Sequence, residues 1–137
     1  MRLETKLLAF EIDEKGKNAG FVLKGKEDEA AFGSDFFGLI LDDGMRTEIP
    51  ILSSMQEGKA TFADDKIVVT YDSLISEYGD TYNIKFTLAV EIEDGLLKFT
   101  PAMTNGTTDI RINECMCPLA DFNTLYGEKS KDIIYFL

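Results

Sequence analysis

The chain has 137 residues, with 14 Lys and Arg against 25 Asp and Glu, and it contains no His and no Trp. The net charge of −11 argues against nucleic acid as a partner, because phosphate binding requires clustered Lys and Arg. The lack of His excludes a Ser-His or Cys-His catalytic pair and a His-ligated metal within these residues.

The N-terminal residues carry no recognisable targeting signal. Glu4 stands where the apolar stretch of a signal peptide would run, and no apolar run approaches the about 20 residues of a membrane helix. We therefore expect a cytoplasmic protein, or an extracytoplasmic one whose leader has been removed, with no membrane partner. The length predicts a single domain over residues 1–137.

Short apolar runs separated by turn residues predict strands throughout the first half of the chain. The runs are Leu8–Ile12, Gly20–Leu23 and Phe36–Leu41. Asp64-Asp65 then separates Ala60–Ala63 from Lys66–Tyr71, which predicts a hairpin with Ile67, Val69 and Tyr71 facing inward. No helical periodicity is convincing, and Ser53–Lys59 predicts one helical turn at most.

The clearest signal is a period of two residues from Tyr82 to Glu93, which predicts a long strand with Phe86, Leu88 and Val90 in the core. Asp94-Gly95 is a strong hairpin turn. The return strand runs over about Leu96–Met103, with Leu97 and Phe99 inward. After the turn Thr104–Thr108, a third strand is expected over Asp109–Cys117, so these three strands are predicted to form a meander.

About nine short strands with frequent turns predict an all-β fold, an antiparallel β-sandwich with few helical residues. The three prolines are expected at strand ends or on edge strands, because proline cannot donate a hydrogen bond to a neighbouring strand. They are Pro50, Pro101 and Pro118.

Paired carboxylates are the acid–base groups that the sequence offers. Glu91 and Glu93 share one face of the long strand, about 7 Å apart by the rise of a strand, a spacing that glycoside chemistry can use. The simpler interpretation is a solvated face of the sheet. Asp42-Asp43 and Asp64-Asp65 are interpreted as turns rather than calcium ligands, and Asn105-Gly106-Thr107 as a turn rather than a glycosylation site.

The two cysteines, Cys115 and Cys117, are separated by one residue and would share a strand face. A bridge between them would close a very small, strained loop, so two free thiols that bind no metal are predicted.

Three tyrosines near predicted loops are candidate sugar-binding residues, because sugars stack on aromatic rings: Tyr78, Tyr82 and Tyr126. The alternative is that these amphipathic rings pack at the rim of a sandwich. The absence of Trp weakens the case for a dedicated carbohydrate platform.

Three segments of the chain together carry a resemblance: residues 7–16 (LLAFEIDEKG), 97–105 (LKFTPAMTN) and 110–119 (IRINECMCPL). Their order resembles the N-terminal β-sandwich, a galactose-mutarotase-like supersandwich, of multidomain bacterial glycoside hydrolases. Cys117 departs from that pattern, which prefers an aromatic residue there. The resemblance implies a partial or smaller supersandwich, with the catalytic acid and base in a later domain, so no catalytic residue is assigned here.

This resemblance implies a non-catalytic accessory domain of a carbohydrate-active enzyme, packing on a downstream catalytic domain and contributing to sugar binding. The apolar ending Ile133–Leu137 is in keeping with a domain taken from a longer chain, and its strand edge would promote homo-oligomers. A stand-alone interaction module that associates through strand edges is the alternative. A small epimerase or lyase is disfavoured because mutarotase-type chemistry uses His. No cofactor or metal is expected.

Overall fold

The computed structural model describes residues 1–25, 31–32, 35–45 and 48–119. Tyr126 and the apolar segment Ile133–Leu137 lie outside the described residues, so the predictions made for them are not tested. The described residues form the following strands: β1 (Arg2–Glu4), β2 (Leu8–Glu11), β3 (Gly20–Leu23), β4 (Ala31–Phe32), β5 (Gly38–Asp42), β6 (Glu48–Leu52), β7 (Lys59–Ala63), β8 (Lys66–Tyr71), β9 (Leu74–Ile75), β10 (Thr81–Tyr82), β11 (Ile84–Glu93), β12 (Leu96–Asn105) and β13 (Arg111–Met116). Among the described residues, a 3₁₀ turn over Ser53–Met55 follows β6.

All the strand pairs are antiparallel, which confirms the predicted all-β, sandwich-like fold. The strands form sheets in the orders β12-β11-β8-β7, β1-β2-β3-β4 and β13-β5-β6, with β9 and β10 as a separate hairpin. Within the described part of the chain, no helix is long and apolar enough to cross a membrane.

The sheet β12-β11-β8-β7 follows the predicted alternation closely. Phe86, Leu88 and Val90 on β11 are fully buried, as predicted. The tight turns also agree with the sequence, because Asp94 and Gly95 have φ of 53° and 76°. Such positive values at both central residues characterise the type I′ hairpin, whose twist matches that of the flanking strands.

Aromatic rings fill the space between the sheets. Phe10 of β2 meets Phe99 of β12 edge-on, with ring centroids 5.3 Å apart. Phe36, just before β5, lies 5.8 Å from Phe10. The sheets that contain β2 and β5 therefore share one core with the buried face of the sheet that contains β11.

The predicted meander of the last three strands is wrong, because β13 pairs with β5 rather than with β12. The turn after β12 redirects the chain: the Asn105 side-chain amide donates to the Ile110 carbonyl oxygen at 2.7 Å, and the Gly106 amide donates to the Asn83 carbonyl oxygen at 2.9 Å. Pairing with β13 places β5 between two strands, and its Leu39 and Leu41 are fully buried.

Within the described residues, the outer strand β7 is partly covered by a loop from the first part of the chain. The amides of Gly58 and Ala60 donate to the carbonyl oxygens of Lys15 and Glu14, each at 2.9 Å. Gly58 lies so close to β8 that a Cβ added there would be 2.4 Å from the Thr70 carbonyl oxygen. Only glycine therefore fits at this position without a shift of the backbone.

The prolines described in strands occupy outer strands, as predicted: Pro50 on β6 and Pro101 on β12. Pro101 is the sixth residue of β12 and pairs with Leu88. In an antiparallel pair of strands, hydrogen-bonded residue pairs alternate with pairs whose backbone groups point away from the partner strand. Leu88 and Pro101 form a pair of the second kind, so the missing N–H of proline removes no hydrogen bond between β11 and β12.

Candidate functional site

An apolar cleft of about 870 Å³ opens at one end of the sandwich. It lies between the turn that joins β1 to β2, the end of β3 and the tip of the β11–β12 hairpin. Its apolar lining consists of Leu7, Leu8, Leu23, Ile92, Leu96 and Leu97. The volume falls within the range of about 300–1,000 Å³ that is typical of small-molecule sites.

The leucines and isoleucine of the cleft divide into a buried floor and an exposed rim. Leu8 and Leu97 retain 9% and 4% of their accessible surface, whereas Leu7 retains 73%. Ile92 and Leu96 are each 43% exposed. The rim therefore presents apolar surface to water that burial against a ligand or partner would remove, a favourable change.

Local hydrogen bonds hold the β1–β2 turn in the shape that exposes Leu7. The Thr5 hydroxyl donates to the Leu8 carbonyl oxygen and accepts from the Leu8 amide, both at 3.0 Å. The Lys24 amide donates to the Leu7 carbonyl oxygen at 2.9 Å, which fixes the turn to the end of β3. Lys6 and Leu7 are thereby directed outward at the cleft entrance.

The charged residues of the cleft are two lysines and one glutamate: Lys6, Lys24 and Glu4. The Lys24 ammonium lies 2.7 Å from Glu4 Oε2, and Arg2 Nε lies 2.8 Å from Glu4 Oε1. The hydrogen bond from Lys24, followed by that from Arg2, lowers the pKa of Glu4 below its ordinary value. Arg2 also pairs with Glu11. Among the described residues, Lys6 has no ion-pair partner and is exposed.

The two predicted tyrosine sites that are described lie on one hairpin, away from this cleft. Tyr78 is 62% exposed in the turn between β9 and β10, and Tyr82 is partly buried at the end of β10. Burial, followed by the charges of Asp80 and Asp43, raises the pKa of the Tyr82 hydroxyl. This hairpin lies just before Ile84, the first residue of β11, whereas the cleft includes Ile92 near the end of that strand. Ile84 and Ile92 are about 26 Å apart by the rise of a strand.

The carboxylates considered for acid–base chemistry are paired with lysines on an exposed sheet face. Glu91 lies 3.5 Å from the Lys66 ammonium, and Glu93 lies 2.6 Å from that of Lys98. This arrangement agrees with the interpretation as a solvated face. Both pairs are partly exposed and are therefore expected to stabilise the fold only slightly.

The acidic turns use their carboxylates to hold the backbone. Asp42 accepts a hydrogen bond from the Gly44 amide at 2.7 Å, and Asp43 accepts one from the Met45 amide at 2.9 Å. No group of three or more His, Cys, Asp or Glu side chains suited to a metal occurs within the described ranges. Asn105 likewise belongs to a turn, since its side-chain oxygen accepts from the Thr107 amide at 3.0 Å.

Both cysteines are free thiols in the structure, with Cys115 exposed and Cys117 half-buried after β13. Loss of solvation raises the pKa of Cys115. The same effect, with the nearby charge of Cys115 adding to it, raises the pKa of Cys117 to about 12. Nucleophilic thiolates are therefore scarce at neutral pH.

The sequence prediction missed the cleft, although doubled leucines gave a signal. Leu7-Leu8 and Leu96-Leu97 each break a period of two, so one leucine of each pair has to face away from the core. Comparison with protein-family models, with curated proteins and with solved structures found no match to this chain. The resemblance to galactose-mutarotase-like domains therefore stays a prediction.

Proposed function

We propose that this chain is a non-catalytic β-sandwich module that acts by binding, and that the apolar cleft is its binding surface. The observation that carries the proposal is the exposed rim of Leu7, Ile92 and Leu96 above a buried leucine floor. Contiguous exposed apolar surface with charged groups at its edge is typical of binding grooves.

This module would act as an accessory domain in a carbohydrate-active enzyme of the glycoside hydrolase type. The reaction would belong to a neighbouring catalytic domain, and the sandwich would support it by association. The lysine pairing of Glu91 and Glu93 supports a non-catalytic role, because each carboxylate is held by a cation on the outer face of the sheet. A stand-alone interaction module remains the second version of the same proposal.

A general probe of apolar surface tests whether the cleft binds ligands in solution. We expect the native chain to bind one equivalent of anilinonaphthalene sulfonate, with enhanced, blue-shifted fluorescence. Leu7→Asp and Ile92→Asp should each weaken that binding at least tenfold. Phe62→Asp is the matched control, since Phe62 is 48% exposed on β7 and does not line the cleft.

Equal binding by the native chain and both cleft variants would show that the cleft is not the binding surface. The non-catalytic role has a separate test in a panel of chromogenic glycosides, for which we expect no turnover above background. Turnover that Glu91→Gln or Glu93→Gln abolishes would overturn it.

A sugar contact on the β9–β10 hairpin is a second candidate function. The exposed ring of Tyr78 and the proximity of Asp80 and Asp43 to Tyr82 favour it, because aromatic faces and carboxylates are the groups that hold sugars. Chemical-shift changes confined to this hairpin on titration with methyl galactoside, and lost in Tyr78→Ala, would support this function. Unchanged spectra at high sugar concentration would exclude it for that sugar.

A further inference from the structure

We infer that the occupant of the apolar cleft is a long-chain carboxylate, with its hydrocarbon tail between the leucines and its head group at Lys6. This inference rests on the proposed role of the cleft as a binding surface and adds the chemical class of the ligand. Two features of the described residues carry it: the shape and lining of the cleft, and the sign of the charges at its entrance.

The lining matches a flexible hydrocarbon chain. The floor and walls are aliphatic, and the polar groups stand on one side, at the β1–β2 turn and the end of β3. An acyl chain has no hydrogen-bonding groups to satisfy along its length, so aliphatic walls cost it nothing in lost hydrogen bonds. A sugar placed there would bury its hydroxyls against leucine, which makes the cleft a poor site for carbohydrate.

The charge at the entrance is opposite to that of the chain as a whole. The protein carries a net charge of −11, yet the cleft is lined by two lysines and one glutamate. Glu4 is already held by Lys24 and Arg2. Lys6 is exposed, lines the cleft beside Leu7 and has no ion-pair partner among the described residues, so it stays available to a carboxylate. Charge complementarity of this kind favours an anionic head group.

A second copy of the chain fits the cleft less well. Two copies would bring together two bodies with a net charge of −11 each, and their lysine-bearing entrances would face each other. The repulsion between the two net charges and the repulsion between the facing lysines are both strongest at low salt, where the Debye length is long. A single small anion avoids both penalties.

The test uses the full chain and cis-parinaric acid, a fluorescent 18-carbon polyene carboxylate, alongside its uncharged methyl ester. We expect one acid to bind per chain, more tightly than the ester. Leu96→Asp should weaken binding of the acid at least tenfold. Lys6→Gln should weaken binding of the acid about three- to tenfold and leave the ester unchanged. Phe62→Asp and Lys59→Gln, exposed β7 residues outside the cleft, are the matched controls.

Each alternative has its own result. Binding of anilinonaphthalene sulfonate without binding of the acid would overturn this inference and leave the proposed binding surface standing. Equal affinities for acid and ester, unaffected by Lys6→Gln, would remove the role of the head group. Binding that begins only after deletion of residues 133–137 would make the chain's own apolar ending the occupant. A dimer, detected by sedimentation and lost in Leu96→Asp, would assign the cleft to a second copy.

Discussion

Phe37 and Phe86 stack with their ring centroids 4.2 Å apart and their planes inclined by 17°. Phe37 immediately precedes β5, and Phe86 lies on β11, so this contact joins two sheets across the core. Both rings are fully buried, and Phe37 also meets Phe36 edge-on at 5.1 Å. The stack is therefore central to the packing of one layer on the other.

Replacement of Phe86 by Ala should destabilise the fold by about 3–5 kcal/mol, because it removes a stacked ring and leaves a cavity. Urea unfolding followed by circular dichroism measures the change. Phe62→Ala, at a half-exposed position on β7, is the control and should cost less than about 1 kcal/mol. A loss below about 1 kcal/mol for Phe86→Ala would mean that the ring contributes little to the packing.

The burial of Phe86 illustrates what the sequence can predict. A strand with one dry face leaves a period of two in its own residues, and β8, β11 and β12 carry it. The partner of β13 leaves no such mark, since pairing with β5 joins residues far apart in the chain. Ala9 also departs from the alternation of buried and exposed residues that the sequence predicts. It is fully buried although it lies on the face of β2 opposite Phe10, where Arg2, Glu4 and Glu11 form their ion pairs.

The hydrogen bond from the Tyr71 hydroxyl to the Gly16 carbonyl oxygen, at 2.8 Å, is buried. Tyr71→Phe should reduce the free energy of unfolding by about 1–2 kcal/mol, because the carbonyl loses its partner. Gly16 has a φ of +68°, and an added Cβ would lie 2.7 Å from the Tyr71 oxygen. Gly16→Ala should therefore be more damaging than Tyr71→Phe in the same urea titration. The reverse order would contradict this explanation.

Stability should fall at alkaline pH because of Tyr71. Burial, followed by the charge of Asp13, raises the pKa of its hydroxyl above the ordinary value of 10.0. The contribution of Tyr71 to the free energy of unfolding is fully present below the pKa that tyrosine has in the unfolded chain, about 10. It is lost as the pH rises toward the pKa of Tyr71 in the folded chain. The advantage of the native chain over Tyr71→Phe should therefore shrink above about pH 10. A constant difference would show that Tyr71 ionises normally when folded.

Asp13 organises the loop after β2. Its carboxylate accepts hydrogen bonds from the amides of Lys15 and Lys17 at 2.9 and 2.8 Å, and from the Asn18 side chain at 2.8 Å. We expect Asp13→Ala to cost about 1–3 kcal/mol at neutral pH. Asp72→Ala is the control variant, at an exposed position without a positive φ, and thermal unfolding of the two provides the comparison.

The Asp13 contribution should disappear in acid. Burial acts to raise the pKa of Asp13, but the hydrogen bonds from Lys17, Asn18 and Lys15 outweigh it and leave the pKa lowered. Stability from this group is present above the unfolded pKa of about 4 and is lost as the pH falls through the folded value. The difference between the native chain and Asp13→Ala should narrow as the pH falls below about 4. A difference that widens in acid would reverse the sign of this assignment.

The cysteines should react slowly and in a fixed order. Because the pKa of both thiols is raised, iodoacetamide at neutral pH should modify them more slowly than it modifies glutathione, and exposed Cys115 should react before Cys117. Intact-mass measurements over time, with peptide mapping, follow the reaction. A native mass two hydrogens low, stoichiometric zinc, or earlier reaction of Cys117 would contradict this prediction.

The candidate site was less predictable than the fold for a physical reason. The cleft draws on four separate stretches of the chain, which meet only after β1, β2, β3, β11 and β12 have packed. Each rim residue taken alone is an unremarkable exposed leucine or isoleucine. The predicted tyrosines Tyr78 and Tyr82 are close in the sequence and belong to one two-stranded hairpin, Tyr78 in its turn and Tyr82 on β10.

The loop that covers the edge of β7 bears on the order in which the molecule folds. Glu14 and Lys15 precede Ala60 and Gly58 by more than forty positions, so their two hydrogen bonds close a long loop of chain. The β7–β8 hairpin closes locally and can form earlier, since short loops cost less entropy. During that interval the backbone of β7 is open to a strand from another molecule. We therefore expect self-association of this protein to depend on how fast the loop that contains Glu14 and Lys15 packs against β7. Refolding at low protein concentration should give a higher yield of native protein than refolding at high concentration.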